Sequence, residues 1–246
     1  SKGASRSIVS NRIKNVSNFR QIKVANTLNA LKKIGFVTRQ FSNSKVIGIT
    51  GSTGKTTLKS LLAFALNKFS KVYSSPKSYN NHYGVPLSLS NLQKDTEYGI
   101  FEIGMNKKGE IDRLSKIVRP DIGVITNISE AHIQNFNSIN DIYNEKNELF
   151  KSLKKGGIAF INMDDPYIST TRLSSNIKII RYGFQNRFEY FGDINNSGEG
   201  SFFINDYKIE TKHSSINLMK NILVAFSIAS ELGITFKEFN QNISSF

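Results

Sequence analysis

The sequence predicts an α/β fold, a mostly parallel twisted sheet flanked by helices, built on a P-loop and finished by a small antiparallel edge. Three observations predict it. Apolar, β-branched runs alternate with amphipathic stretches from residue 45 onward, the pattern of parallel strands joined by right-handed helical crossovers. A glycine-rich stretch, Gly51-Ser52-Thr53-Gly54-Lys55-Thr56-Thr57, stands between one such strand and one such helix. Beyond residue 183 the runs shorten and are separated by Asn, Gly and Asp turns, as in an antiparallel meander.

In chain order, residues 7–9 read as a short strand with no partner before it, the end of an earlier unit. Val24, Leu28, Leu31 and Ile34 form a helical stripe that ends at Gly35, a connector helix. Strand 45–50, the glycine loop and helix 58–66 follow, then strand 71–74 and a polar loop, 78–83, ahead of Gly84-Val85-Pro86. Strand 98–104 carries one carboxylate, Glu102. Helix 110–118, strand 121–128, helix 139–153 and strand 157–162 continue the alternation, with Met163-Asp164-Asp165-Pro166 as a turn and 178–183 as the next strand. Residues 189–211 are the antiparallel edge, and a last helix runs from 214 to 232, closed by Gly233.

The strand-loop-helix unit is a phosphate site by construction. Helix N-terminal N–H groups and the helix dipole favour an anion, glycines let the backbone approach it, Lys55 supplies a point charge for β/γ-phosphates, and the Thr56 hydroxyl suits Mg²⁺. The common G-x-x-x-x-G-K-[ST] pattern would place a glycine at 49, where Ile49 stands. A glycine turn that merely contains a lysine does not explain the flanking strand and helix.

Composition narrows the partners. The 246 residues suit one large or two small domains, and without cysteine there is neither disulfide nor thiolate metal site. No run of about 18 apolar residues occurs, so no membrane span is expected and a cytoplasmic location is. The formal charge of +14 is carried mostly by dispersed lysines, with no arginine block or aromatic interleaving; this reads as a solvated surface compatible with polyphosphate substrates and not as a nucleic-acid site.

Three further residues point toward the phosphate site. Glu102 ends its apolar strand, where a P-loop needs an acid for Mg²⁺; the competing reading is a surface-facing edge residue. His132 follows the next strand and lies in the loops over the same edge of the sheet, though a lone histidine is as readily structural. Lys146 falls on the apolar helix face of Ile139, Ile142, Tyr143, Leu149 and Phe150. It either snorkels or reaches a site, where a buried amine is tuned or modified.

The segments Thr50 to Thr57, Asn80-Asn81-His82-Tyr83-Gly84-Val85-Pro86, Glu102-Ile103-Gly104-Met105-Asn106-Lys107-Lys108-Gly109-Glu110-Ile111 and Glu130-Ala131-His132 resemble the Mur ligases. Within that family they are similar to the branch that adds D-alanyl-D-alanine to UDP-N-acetylmuramoyl-tripeptide. The family's loop, T-G-x-x-G-K-T, accounts for the absent glycine at 49. The resemblance implies that residues 1–21 end an N-terminal UDP-sugar-binding domain, 22–44 form the connector helix and 45–246 the central ATP-binding domain. It implies that Gly51, Ser52, Thr53, Gly54, Lys55, Thr56 and Thr57 hold ATP, that Thr56 with Glu102 holds one Mg²⁺, and that His132 and a carbamylated Lys146 serve a second. Asn217 and Asn221 resemble the asparagines near adenine, at a spacing one residue wider than the family's H-N-x-x-N, and Asn80, Asn81 and His82 are implied substrate contacts. Lys55, His132 and Lys146 are the implied catalytic set.

The implied reaction is ATP-driven amide formation through an acyl phosphate in peptidoglycan precursor synthesis, with small-molecule substrates, a monomeric enzyme and no ligation by residues 1–246 alone. Another Mur-type ligase, a P-loop kinase and a nucleic-acid-dependent ATPase are the rival readings. Against a GTPase, Asn106-Lys107-Lys108 is followed by Gly109, so no N-K-x-D motif arises there.

Overall fold

The computed structural model describes residues 4–131, 133–185, 187–193, 201–210 and 215–243. Two short strands, β1 (Ser7–Val9) and β2 (Gln21–Lys23), pair in parallel apart from the main sheet, so the first strand finds its partner after it in the chain. Gln21 seals the intervening loop, exchanging hydrogen bonds with the backbone of Ile13 and donating to Val16 O.

The main sheet has nine strands. These are β3 (Lys45–Thr50), β4 (Val72–Ser74), β5 (Tyr98–Glu102), β6 (Ile122–Ile125), β7 (Ile158–Asn162), β8 (Lys178–Gly183), β9 (Tyr190–Asp193), β10 (Ser201–Ile204) and β11 (Tyr207–Glu210), in the order β11-β10-β9-β8-β7-β6-β3-β5-β4. Pairing is parallel from β4 through to β9 and antiparallel only at β9-β10 and β10-β11. β3 is an interior strand with both faces covered, and its side chains alternate between two cores as the pleat requires. Ile47 and Ile49 face the layer of α2 (Lys55–Leu66), α6 (Ile216–Glu231) and α7 (Phe236–Ile243). Val46 faces the layer of α3 (Gly84–Ser90), α4 (Glu110–Val118) and α5 (Ile139–Lys151).

The chain leaves β3 toward β5 and β4, then returns to place β6 on the other side. The loops at the C-terminal ends of β3, β5 and β6 therefore part from one another, which opens a crevice there. Among the described residues no helix is long and apolar enough to cross a membrane.

The expected stop at Gly35 is overturned. Helix α1 runs Thr27–Phe41, started by Asn26, whose side chain accepts from Asn29 N. Gly35 lies inside it because α1 packs closely on α3, where an added Cβ would stand 2.8 Å from Pro86 O. A glycine after an apolar stripe signals either an end or a close approach, and here the approach decided. Two helices were not anticipated. The polar loop runs directly into α3, whose single proline is tolerated in the first turn, and α7 follows the helix expected to be last, after Gly233 at φ +90°. Its Phe239 and Ile243 complete the core beside α2 and α6.

Candidate nucleotide site

The loop between β3 and α2 is set by two glycines. Gly51 has φ +146°, and a Cβ there would lie 1.9 Å from Thr126 Oγ1. Gly54, the N-cap of α2, has φ +80° and presses against the Asn221 amide. The exit of β6 braces the loop: Ser52 N donates to Asn127 O, Thr53 N to Asn127 Oδ1, Thr126 Oγ1 to Thr53 O, and Ser129 N to Ser52 Oγ. Thr56 and Thr57 are exposed in the first turn of α2, where N–H groups have no intrahelical partner. The Lys55 ammonium folds back over the loop and donates to Gly51 O at 2.8 Å and Ser52 O at 3.3 Å. Burial lowers its pKa, partly offset by Glu102.

Glu102 is 1% exposed, which settles against a surface-facing edge residue. Its Oε2 accepts from Thr56 Oγ1 at 2.8 Å and its Oε1 from Asn80 Nδ2 at 2.7 Å. Lys146 of α5 is 2% exposed and lines a cavity of about 190 Å³ with Gly51, Lys55, Asn80, Asn81 and Gly104. It therefore reaches the phosphate loop and does not snorkel. Its pKa is pushed down to about 7 by burial and then by the Lys55 charge, with Glu145 opposing. Glu145 cannot pair fully with it, since its two oxygens accept from Gly109 N and Ile111 N at the start of α4.

No aspartate or glutamate precedes Asp95 in the chain, so the loop and α2 contribute only positive charge. Lys59, also on α2, is buried beside Glu102 at 3.6 Å. Lys55 and Lys59 thus lie beside Glu102 and Lys146 beside Glu145, both carboxylates already accepting hydrogen bonds, and the excess of positive charge suits an anion such as a polyphosphate.

A second, larger cleft, about 850 Å³, opens on the other side of the loop. Thr53, Gly54 and Thr57 border it from the loop, Asn217 and Asn221 from α6, and Asn127 and Asp164 from the ends of β6 and β7. Asn217 and Asn221, four residues apart, share one face of α6, so their wider spacing still brings both to this cleft. Its floor is rigid. Asn162 Nδ2 donates to Thr126 O, and Asp165 accepts from Ile128 N, Tyr167 N and Ile168 N. Tyr182 lines the cleft with its pKa raised by burial and by the nearby Asp164 and Asp165.

The remaining expected residues divide. Asn81 borders the smaller cavity, but its Oδ1 accepts from Tyr83 N and Gly84 N at the start of α3. His82 is exposed against the Tyr83 ring, at 4.2 Å between centroids, and borders neither cavity. His132 lies outside the described residues. Sequence reasoning missed Lys59, Asn127, Asn162, Asp164 and Tyr182. The signal available for most of them was position, at or just beyond the C-terminal ends of parallel strands.

The donor set fits a magnesium-nucleotide. Thr56 Oγ1 and Glu102 Oε2 are hard oxygens 2.8 Å apart beside the loop, and Mg²⁺ commonly takes one or two protein oxygens and completes its shell with phosphate and water. Among the described residues no three His, Cys, Asp or Glu side chains converge into an all-protein metal cage.

The family described as Mur ligase middle domain matches residues 49–229. The chain is 42% identical to the UDP-N-acetylmuramoyl-tripeptide–D-alanyl-D-alanine ligase of Rickettsia prowazekii over 65% of its own length and 36% of that protein. It is 34% identical to the ligase of the same name from Buchnera aphidicola subsp. Baizongia pistaciae, over 92% of its own length and 50% of that protein. Among solved structures, MurF from Acinetobacter baumannii superposes with a TM-score of 0.86 at 27% identity, covering 96% of this chain and 53% of that one. MurF ligase from Thermotoga maritima in complex with ADP superposes at 0.85 and 26% identity, covering 99% and 57%. The chain spans about half the length of the relatives it matches over most of its own length.

Proposed function

This chain belongs to the Mur ligase family, and on that premise we propose that the protein it represents joins D-alanyl-D-alanine to UDP-N-acetylmuramoyl-tripeptide at the expense of ATP, releasing ADP. The observation that carries the reading is the meeting of Lys55 and Lys146 at one cavity beside the loop, with Lys59 paired to Glu102, and a cleft on the loop's other side wide enough for a nucleoside. The names of the relatives supply the substrates.

The loop amides and Lys55 hold the phosphates, and Asn217, Asn221 and Asp164 line the space for the nucleoside. Thr56 and Glu102 would hold Mg²⁺, which when bound neutralises charge between the γ-phosphate and the incoming carboxylate. The substrate carboxylate attacks the γ-phosphorus, ADP leaves, and the dipeptide amine then displaces phosphate from the acyl phosphate. Lys146, with its pKa near 7, holds an appreciable neutral fraction at physiological pH. A neutral amine can add CO₂, forming an N–C bond and releasing a proton; the resulting carbamate would reverse the sign of charge at this buried position. That reading of Lys146, a second Mg²⁺ and the part of His132 belong to this proposal, as do a cytoplasmic location and a monomer.

The reaction also needs the amine held against the acyl phosphate with water kept out, a positioning effect that reaches roughly 7–11 kcal/mol. The proposal assigns that to parts of the protein outside residues 45–246, and residues 1–21 to the end of a UDP-sugar domain. The test is incubation with ATP, Mg²⁺, UDP-muramoyl tripeptide and D-alanyl-D-alanine, read by mass spectrometry. The full-length protein is expected to give pentapeptide product with one ADP each, and residues 1–246 to bind Mg-nucleotide and give none. Full-length protein that binds ATP without forming product overturns the assignment.

A further inference from the structure

Lys59 lies three residues after Thr56 and four after Lys55, so the three side chains leave one face of α2. It is buried, and its ammonium has two neighbours: Glu102 Oε2 at 3.6 Å and the carbonyl of Lys77, to which it donates. Oε2 is the oxygen that accepts from Thr56 Oγ1, and so the oxygen facing the cation position. The other, Oε1, is taken by Asn80 Nδ2, while Glu102 N donates to Ser75 Oγ. Ser75, Lys77 and Asn80 belong to one loop between β4 and α3. Lys77 holds φ +46°, a left-handed setting that is unfavourable for a side-chain-bearing residue and persists only where contacts fix it.

We infer that Lys59 is a positioning residue that couples cation occupancy at Thr56 and Glu102 to the setting of loop 75–83. The inference rests on the reading of that pair as the Mg²⁺ site. Two cations cannot share Oε2 without repulsion. Without Mg²⁺, Lys59 is the counter-charge of buried Glu102. With Mg²⁺ present, its attraction to Oε2 is opposed and the Lys77 carbonyl becomes its principal partner, tightening the loop that presents Asn80 and Asn81 to the smaller cavity.

The test uses the protein with ADP held constant and Mg²⁺ varied, reading thermal stabilisation and hydrogen exchange of residues 75–83. Lys59→Met removes both interactions. It is expected to lower the Mg²⁺ concentration for half-maximal stabilisation about fivefold, the lower end of ordinary site-to-site coupling, while exchange in the loop rises. Lys59→Gln, neutral but still a donor, should lower the Mg²⁺ requirement with loop exchange near wild type, and it serves where Lys59→Met does not fold. Lys59→Arg should restore the wild-type requirement. A residue that only filled space would leave the Mg²⁺ requirement unchanged or raise it, and either result in both neutral variants overturns the inference while leaving the nucleotide site intact. Wild-type protein that gains no stability from Mg²⁺ and ADP overturns both.

Discussion

At the N-terminal end of β3 the Arg39 guanidinium donates to Asp121 Oδ2, Val118 O and Arg119 O, and Asp121 accepts in turn from Val46 N and pairs with Lys154. At the C-terminal end of the same strand, Lys55 and Lys59 lie beside Glu102 and Lys146 beside Glu145, and a cavity opens next to Lys55 and Lys146. Both clusters bury charge near the centre of the same sheet. The first joins helix α1 to the strand edge with its donors and acceptors engaged within the chain. Among the described residues the second sets three lysines against Glu102 and Glu145, an excess of positive charge that an anion from outside the chain can balance. A buried ion pair is therefore weak evidence of a site, and a buried imbalance is strong evidence.

If the first cluster is purely structural, Arg39→Ala should cost about 3 kcal/mol of stability, the range for removing one partner of a buried pair, and leave Mg-ATP affinity within about twofold of wild type. Urea unfolding and calorimetric titration separate the two quantities. A loss of nucleotide affinity larger than the loss of stability would break the distinction between the ends.

The converse holds for Lys55→Ala. Removing the charge that lies over the loop should weaken Mg-ATP binding by at least about 2 kcal/mol, the lower bound for truncating one side of a buried charge contact. It should not lower stability, because it also removes a desolvated ammonium. Unchanged calorimetric affinity would sink the phosphate-loop reading.

Lys146 sharpens the comparison by sign. Its folded pKa, about 7, lies below the value of about 10.4 for an unfolded lysine. Between those values the unfolded chain binds more protons, so this residue makes stability rise with pH from about 7 toward 10, and its destabilisation is fully present below 7. In CO₂-free buffer Lys146→Met is expected to be more stable than wild type by about 2 kcal/mol at pH 6, with the difference shrinking as pH approaches 10. Urea midpoints across that range check it; a variant less stable at pH 6 would mean that the ammonium is paired after all.

What was legible in the sequence follows from where the information resides. The parallel sheet, the P-loop and the reach of Glu102 and Lys146 are written in local periodicity and in the cost of burying charge, which a single chain displays. Strand 45–50 and helix 110–118 match β3 and α4 residue for residue. The reversal at Gly35 was not legible, because whether a glycine ends a helix or admits a neighbour depends on α3, fifty residues away. The place of Lys59 was not legible, since nothing local reveals that Lys77 O and Glu102 lie beside it. The large cleft draws Asn127, Asp164 and Tyr182 from three separate strand ends, and only the strand order brings these together.

Gly35 yields the smallest effect and the finest test, because it lies on the path between the two ends. Its helix α1 is fixed at the N-terminal end through Arg39, and α3, which it touches, begins at Gly84, where the Asn81 side chain accepts from the backbone. In Gly35→Ala the new methyl would stand 2.8 Å from Pro86 O and 3.2 Å from Leu89 Cβ, so the helices must part slightly. Overpacking of this kind costs about 1–3 kcal/mol, and replacing glycine in a helix returns up to about 1 kcal/mol. The expected net loss is about 1 kcal/mol in urea unfolding. The strain falls at Pro86 and Leu89, within α3, while Gly84 N stays held by Asn81 Oδ1, so Mg-ATP affinity should move by less than about twofold. A larger drop in affinity than in stability would mean that α1 and α3 transmit displacement into loop 75–83, and that the two ends of β3 are mechanically one unit.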